Sequence, residues 1–386
     1  MKNIQMLNKI AKVGTDLLDP AVYTLGTEID NPDGILVRSA VMHDMVFGDK
    51  LQAIARAGAG VNNIPIDKCT EEGIVVFNTP GANANGVKEL TVCALLLAAR
   101  DVVGGISWAQ TLAGGADVAK AVEKGKSQFA GIELQGKTLG VIGLGAIGGL
   151  VANIAVRLGM KVVGCDPFLS VDAAWNLNHN ITHAASYEEV YKVADYITIH
   201  VPATADTKGM INASTMAGMK DGVKIINLSR DSLVKSADMI EALASGKVSR
   251  YVTDFATQEL IGVPGAILIP HLGASTEESE DNCAVMAALQ MDDYLQNGNI
   301  KNSVNFPAVA MPRSGDARIC VLHENVTGIL TQLTGVMAEE GLNIENMTNK
   351  SRGNAAYTIF DVTGTIPATL CDDMQAIEAV LRVRVI

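Results

Sequence analysis

The stretch 139–166, LGVIGLGAIGGLVANIAVRLGMKVVGCD, admits few folds. A short apolar run over 139–142 ends in Gly143-Leu144-Gly145-Ala146-Ile147-Gly148, after which Ile147, Leu150, Val151, Ile154 and Leu158 recur at helical spacing. The pattern predicts strand, glycine turn, helix. A second apolar strand over 161–165 ends on Asp166, eighteen residues after Gly148. Gly143 is expected to make the tight turn, Gly145 to let a pyrophosphate approach the backbone, and Gly148 to let helix and strand pack closely. The helix N-terminus offers unpaired N–H groups and a positive dipole end to phosphates. Asp166 suits a ribose 2′-hydroxyl, which favours NAD over NADP because a carboxylate repels a 2′-phosphate. Glycine makes up 37 of 386 residues, so the hexapeptide alone could be an ordinary turn ahead of a solvated Asp166. Its register with strand, helix, second strand and acidic terminus is what gives it weight.

A chain of 386 residues is too long for one comfortable core and predicts two or three domains. Hydrophobic residues reach 48% but aromatics only 4%, so the cores must be built from Val, Ile, Leu, Ala and Met. A net charge of −12 disfavours nucleic acid and anionic membrane surfaces as partners, and an anionic substrate would need a locally basic pocket. Six scattered cysteines show no CxxC and no metal-ligand spacing, which predicts reduced thiols, no metal and a cytoplasmic location. The N-terminus, MKNIQMLNKIAKVG, has no apolar core of a leader, and the longest such run, near 92–99, falls well short of the roughly 20 residues of a membrane span.

Ahead of the glycine turn, apolar runs at 35–37, 51–54 and 74–77 alternate with helix-like segments in a small α/β layer. After it, runs at 196–200, 223–228, 251–255 and 266–269 would complete six parallel strands of a doubly wound sheet. Two prolines and a glycine make 307–316 a linker. Residues 317–386 then read strand, helix, strand, strand, helix, strand. The expected domains are 1–100 with 285–306 for substrate, 101–284 for the dinucleotide, and 317–386 as a small third unit.

Three polar residues follow predicted strands, where open α/β sheets place their ligands. Arg230 follows IINLS, Glu259 lies five residues after Asp254 in VTDFATQE, and His271 follows ILIP. Hydride transfer between a hydroxyacid and NAD needs a cation to grip the carboxylate, a base for the hydroxyl proton, and a group to hold the base. Arginine binds a carboxylate with two donors, and histidine as a residue type titrates near neutral pH. A carboxylate beside the ring fixes its tautomer and favours its protonated form. Singly, these residues read as a surface charge, a loop charge and a polar cap; on one sheet edge beside a cofactor turn they read as a site.

GLGAIG with Asp166, INLSR at 226–230, VTDFATQE at 252–259 and PHLGAST at 270–276 resemble the signatures of the D-isomer-specific 2-hydroxyacid dehydrogenases. IARAGAGVNNI at 54–64 is similar to the branch that oxidises D-3-phosphoglycerate, and the last 70 residues resemble an ACT ligand-binding domain. The resemblance implies a Rossmann cofactor domain, a flavodoxin-like α/β substrate domain and a C-terminal ferredoxin-like βαββαβ unit. It implies that Arg230 binds the substrate carboxylate, that His271 is the acid/base and that Glu259 is its partner. Asp254 would meet the nicotinamide carboxamide. Thr79, Gly143, Gly145, Ala146, Ile147, Gly148, Asp166, Val201, Leu228, Ser229, Gly273 and Ala274 would line the NAD site, while Arg56 and the backbone of Ala59 and Gly60 face the substrate. His323, Asn325 and Asn343 match a set that binds L-serine as effector. The implied assembly is a homodimer or homotetramer. Asn85 and Gly86 replace the family's usual arginine and serine, and Thr327 stands where ACT domains often carry proline. Two other readings are a reductase of glyoxylate, hydroxypyruvate or another D-2-hydroxyacid, and an NAD-sensing corepressor-like protein.

Overall fold

Three apolar runs ahead of the glycine turn become neighbouring strands of one parallel sheet in a computed structural model that describes all residues, Met1–Ile386. The sheet has β1 (Lys2–Met6), β2 (Tyr23–Gly26), β3 (Gly34–Val37), β4 (Ala53–Arg56) and β5 (Val75–Phe77) in the order β2-β1-β3-β4-β5, the flavodoxin-like arrangement. β3, β4 and β5 are almost wholly buried, as strands of a covered parallel sheet are. β1 and β2 escape sequence reading because each buries a single side chain, Ile4 and Tyr23. The helix Glu277–Asn297 returns to this sheet, packing Ala284, Ala287, Ala288 and Met291 with Ile4, Leu36, Ala55 and Phe77.

The second sheet is also parallel: β6 (Thr138–Ile142), β7 (Lys161–Cys165), β8 (Ile181–His183), β9 (Tyr196–Ile199), β10 (Val223–Asn227), β11 (Val248–Thr253) and β12 (Ala266–Leu268). Their order is β12-β11-β10-β9-β6-β7-β8. Chain order reverses between β6 and β9, which opens the crevice of a doubly wound sheet beside the glycine turn. One strand was not expected: β8 is three residues long and mostly exposed, so it has no apolar run. The helix Ala84–Ala99 belongs to this sheet as well. Its Ala94, Leu95 and Ala98 share a core with Val151, Ala152 and Ala155 of the helix Ala146–Arg157, where alanine on both sides permits close approach. The first boundary therefore falls at Ala82 rather than at residue 100, and the units are Met1–Ala82 with Glu280–Ile386, and Asn83–Ser279.

The tail forms an antiparallel sheet of β13 (Ala317–Glu324), β14 (Asn343–Arg352), β15 (Ala355–Thr363) and β16 (Val380–Val385), ordered β14-β15-β13-β16, with helices Ile329–Glu339 and Leu370–Gln375 after β13 and β15. This is the βαββαβ order read from sequence. Alternation splits its two faces. Ile319, Val321, Phe360 and Val362 meet Leu333, Met337 and Leu370 of the helices, whereas Cys320, Leu322, Tyr357 and Ile359 join the core of the first sheet. The small unit read over 317–386 thus falls in the same compact unit as the first sheet. Nor is 307–316 a free linker: Val309 and Met311 are buried in that core, and Ile300 and Val309 exchange backbone hydrogen bonds. No single helix is long and apolar enough to cross a membrane.

Candidate active site

Every site residue expected in the unit Asn83–Ser279 lies within a few residues of a strand's C-terminal end. Gly143 has φ 87°, a left-handed value suited to glycine, and a Cβ there would lie 2.6 Å from the His200 carbonyl oxygen. A Cβ on Gly148 would collide with the Gly143 carbonyl oxygen, so turn and helix touch at that point. Around Gly145 the space is open, with no heavy atom within 4 Å of where a Cβ would stand. The helix Ala146–Arg157 starts there with no side chain capping its first N–H groups. Asp166 is held beside the turn, its Oδ2 accepting from the Leu144 N–H at 2.8 Å and its Oδ1 from the Phe168 N–H at 2.9 Å. Free donors, open approach and a fixed carboxylate fit a dinucleotide.

This geometry separates two substitutions. Gly148→Ala is expected to force turn and helix apart, with roughly 1–3 kcal/mol of overpacking cost and loss of NADH binding. Gly145→Ala places its methyl in open space, so the melting temperature should hold while NADH affinity falls about tenfold or more. Thermal melts and NADH fluorescence titration distinguish them; equal melting losses in both would contradict the assignment.

The neighbouring strands β10, β11 and β12 present Arg230, Asp254 and His271 at their ends. Sequence reading passed over Asn227, the polar residue inside IINLS. Fully buried, it donates to the Arg230 carbonyl at 2.8 Å and accepts from the Ser229 N–H at 3.2 Å, shaping the loop that carries the arginine. Ser229 Oγ donates to the Ile199 carbonyl at 2.6 Å, and Arg230 is exposed, donating to the Ser229 carbonyl. His200 follows β9 under the glycine turn; burial pushes its imidazole down to about 4, so it is neutral at physiological pH.

Beside the His271 imidazole stands Asp254, with Oδ2 3.3 Å from Nδ1 and without hydrogen-bond geometry. Phe255 packs on the ring, centroids 5.1 Å apart. Asp254 is 3% exposed and neither carboxylate oxygen has a hydrogen-bond partner. Burial pushes its carboxyl above the usual range, with His271 and Arg230 pulling the other way. The expected pairing of His271 with Glu259 is absent, and Glu259 is exposed with no hydrogen bond or ion pair. Glu259 is followed by Leu260, which is buried in the core of this sheet. Gly273 and Ala274 follow in the same loop, and a side chain on Gly86 would stand 2.9 Å from the Gly273 carbonyl, so the family's usual serine would have no room at 86.

In the other unit, Arg56, Ala59, Gly60 and Thr79 gather where β4 and β5 end. The Thr79 N–H donates to the Gly58 carbonyl at 3.1 Å and Asn78 Nδ2 to the Ala59 carbonyl at 2.7 Å. A Cβ on Gly58 would meet the Arg56 guanidinium, so a side chain there would displace the end of that arginine. Arg56 Nε donates to the Arg38 carbonyl at 3.1 Å, and Thr79 Oγ1 is buried without a partner. The effector set does not converge. His323 is buried, its Nδ1 bonded to the Glu324 carbonyl and its Nε2 to Thr358 Oγ1, both at 2.8 Å, and burial pushes its ring below the usual histidine range. In register, His323 and Ser351 both face Ala356, while Asn343 faces Thr363, so Asn343 lies at the other end of the sheet. Asn325 and Asn343 are exposed and bond to Gly353 and Glu345. No cluster of three or more His, Cys, Asp or Glu is placed to hold a metal ion.

Residues 96–273 match the family described as D-isomer specific 2-hydroxyacid dehydrogenase, NAD binding domain. The chain is 34% identical over 294 residues to the D-3-phosphoglycerate dehydrogenase of Rattus norvegicus, which covers 73% of this chain and 52% of that one. It is 35% identical over 310 residues to the enzyme of that name from Methanocaldococcus jannaschii, covering 78% and 57%. It thus spans little more than half the length of these curated relatives. Among solved structures, the NAD+-bound 3-phosphoglycerate dehydrogenase of Entamoeba histolytica superposes with a TM-score of 0.59 at 28% identity, over 79% of this chain and 98% of the other.

Proposed function

We propose, from the match of residues 96–273 to the NAD-binding domain of the D-isomer-specific 2-hydroxyacid dehydrogenases, that the chain is such a dehydrogenase and oxidises D-3-phosphoglycerate to 3-phosphohydroxypyruvate. The observation that carries the reading is the trio Arg230, Asp254 and His271 at the ends of three neighbouring strands, in the same sheet as the glycine turn. His271, 60% exposed along its side chain, takes the substrate hydroxyl proton. Arg230, which pairs with no acidic side chain, grips the substrate carboxylate. Asp254 stabilises the imidazolium as it forms and orients the ring. When bound along Gly143, Gly145, Gly148 and Asp166, NAD supplies the hydride acceptor.

Asn85 and Gly86 supply no cation for a substrate phosphate, and this favours a second reading, reduction of glyoxylate or hydroxypyruvate. An absorbance assay at the nicotinamide band separates the two. The expected result is faster NADH oxidation with 3-phosphohydroxypyruvate than with glyoxylate or hydroxypyruvate, and little rate with NADPH because of Asp166. Faster turnover of unphosphorylated 2-oxoacids would overturn the substrate and install the second reading. Self-association is part of the proposal: the helices Val102–Gln110 and Val118–Gly125 bury none of their residues and expose Val103, Ile106 and Val118, an apolar surface suited to a second copy. L-serine regulation at His323 is not included, since both ring nitrogens are spent within the sheet.

A further inference from the structure

A pocket of about 390 Å³ opens inside the unit formed by Met1–Ala82 and Glu280–Ile386, where β16 and the helix Leu370–Gln375 meet the loop before β4. Its wall carries three cations, Lys50, Arg382 and Arg384, against one acid, Asp49. In a chain of net charge −12 this runs against the overall balance. No ion pair in the structure includes any of the three cations. Arg382 donates to the carbonyls of Leu51 and Glu72. Arg384 donates to Gln52 Oε1 and to the Tyr294 carbonyl at 2.9 Å, lies 4.1 Å from the Tyr294 ring centroid, and leaves its Nε buried without a partner. The Asp49 carboxylate accepts instead from Asn31 Nδ2 at 2.7 Å. Burial and the Arg384 charge push down the Lys2 ammonium, with Asp33 opposing.

Part-buried charges are ordinarily paired, and the carbonyl dipoles and one aromatic face beside Arg382 and Arg384 do not supply a counter-charge. Guanidinium is the side-chain group that best suits carboxylate and phosphate oxygens. We propose that this pocket binds a small anionic metabolite through a phosphate or carboxylate group held by Lys50, Arg382 and Arg384. Gln52 leads directly into β4, whose last residue is Arg56, so the ligand sits one short strand, roughly 13 Å at about 3.3 Å per residue, from the substrate arginine.

The test is isothermal titration of the full chain with inorganic phosphate and, separately, succinate, at constant ionic strength. It uses an Arg230→Ala background so that the dehydrogenase site contributes no such contact. Saturable binding of one probe per chain is expected, and the probe that binds identifies phosphate or carboxylate as the recognised group. Adding Lys50→Glu, an exposed position that leaves folding intact, should weaken that binding about tenfold or more. Absence of saturable binding with both probes, or unchanged affinity in Lys50→Glu, overturns the proposal. Neither result depends on turnover, so failure here is separable from failure of the dehydrogenase assignment.

Discussion

Arg318→Met is expected to lower the stability of the unit that holds the C-terminal sheet by about 3–5 kcal/mol, the usual cost of breaking a buried ion pair from one side. Arg318 is 0% exposed. Its Nε and Nη2 meet Asp361 Oδ1 and Oδ2 at 2.6 and 2.8 Å, and it also donates to the carbonyls of Asn297 and Met311 at 2.8 and 2.9 Å. One side chain thereby ties β13 and β15 to the end of the long helix and to the segment before β13. Methionine fills much the same volume, so the loss reports the charge: Asp361 stays buried with only the Ser314 N–H and hydroxyl as donors, and two carbonyls lose theirs. Arg318→Met with Asp361→Leu should recover most of the loss, because an apolar pair of similar size often replaces a buried ion pair at little cost. Urea unfolding of the two variants checks this, and a single-variant loss below about 1 kcal/mol would refute the network's role. Acid adds a second check. Burial pushes the Asp361 carboxyl up, but Arg318 and Ser314 outweigh it and hold it below the usual range. A folded-state carboxyl that is depressed stabilises above the unfolded carboxylate range and stops doing so as pH falls through it, below about 4.

What the sequence made legible was local. The turn at Gly143 and Gly148 is legible because φ and clearance there are set by residues within a few positions, and β3, β4 and β5 because buried parallel strands are continuous apolar runs. β1, β2 and β8 were not, since each depends on neighbouring strands more than on its own side chains. Cys320, Leu322 and Tyr357 alternate as any two-sided strand does, and only the surface formed by Tyr294, Phe306 and Met311 turns that face into an internal contact. The site divides in the same way. Arg230 and His271 follow from motif and strand end, but which carboxylate stands beside the imidazole depends on the path of the loop after β11, which no spacing rule records.

His271→Ala should lower kcat/KM by about 10²–10⁴, the usual worth of general acid–base catalysis. The two candidate carboxylates, Asp254 and Glu259, then separate by experiment. If Asp254 orients the ring, Asp254→Asn should lower kcat with little change in KM and lower activity most at pH values where the imidazolium is formed, because an amide cannot stabilise it. Stability should move oppositely. Burial holds the Asp254 carboxyl above the usual range, so its ionisation costs the folded state. That cost begins as pH rises through the unfolded carboxylate range, near 4, and is complete above the raised folded value. Asp254→Asn should therefore melt higher than the parent at neutral pH, by roughly 2–4 °C for each kcal/mol recovered, and the advantage should vanish in acid. Glu259→Gln, exposed and unpartnered, should leave melting unchanged. A large kcat loss in Glu259→Gln with none in Asp254→Asn would instead require the loop at 255–259 to swing Glu259 onto the imidazole during turnover. The energetic price of that motion would be the release of Leu260 from the core, so Leu260→Ala would then be expected to change kcat as well as stability.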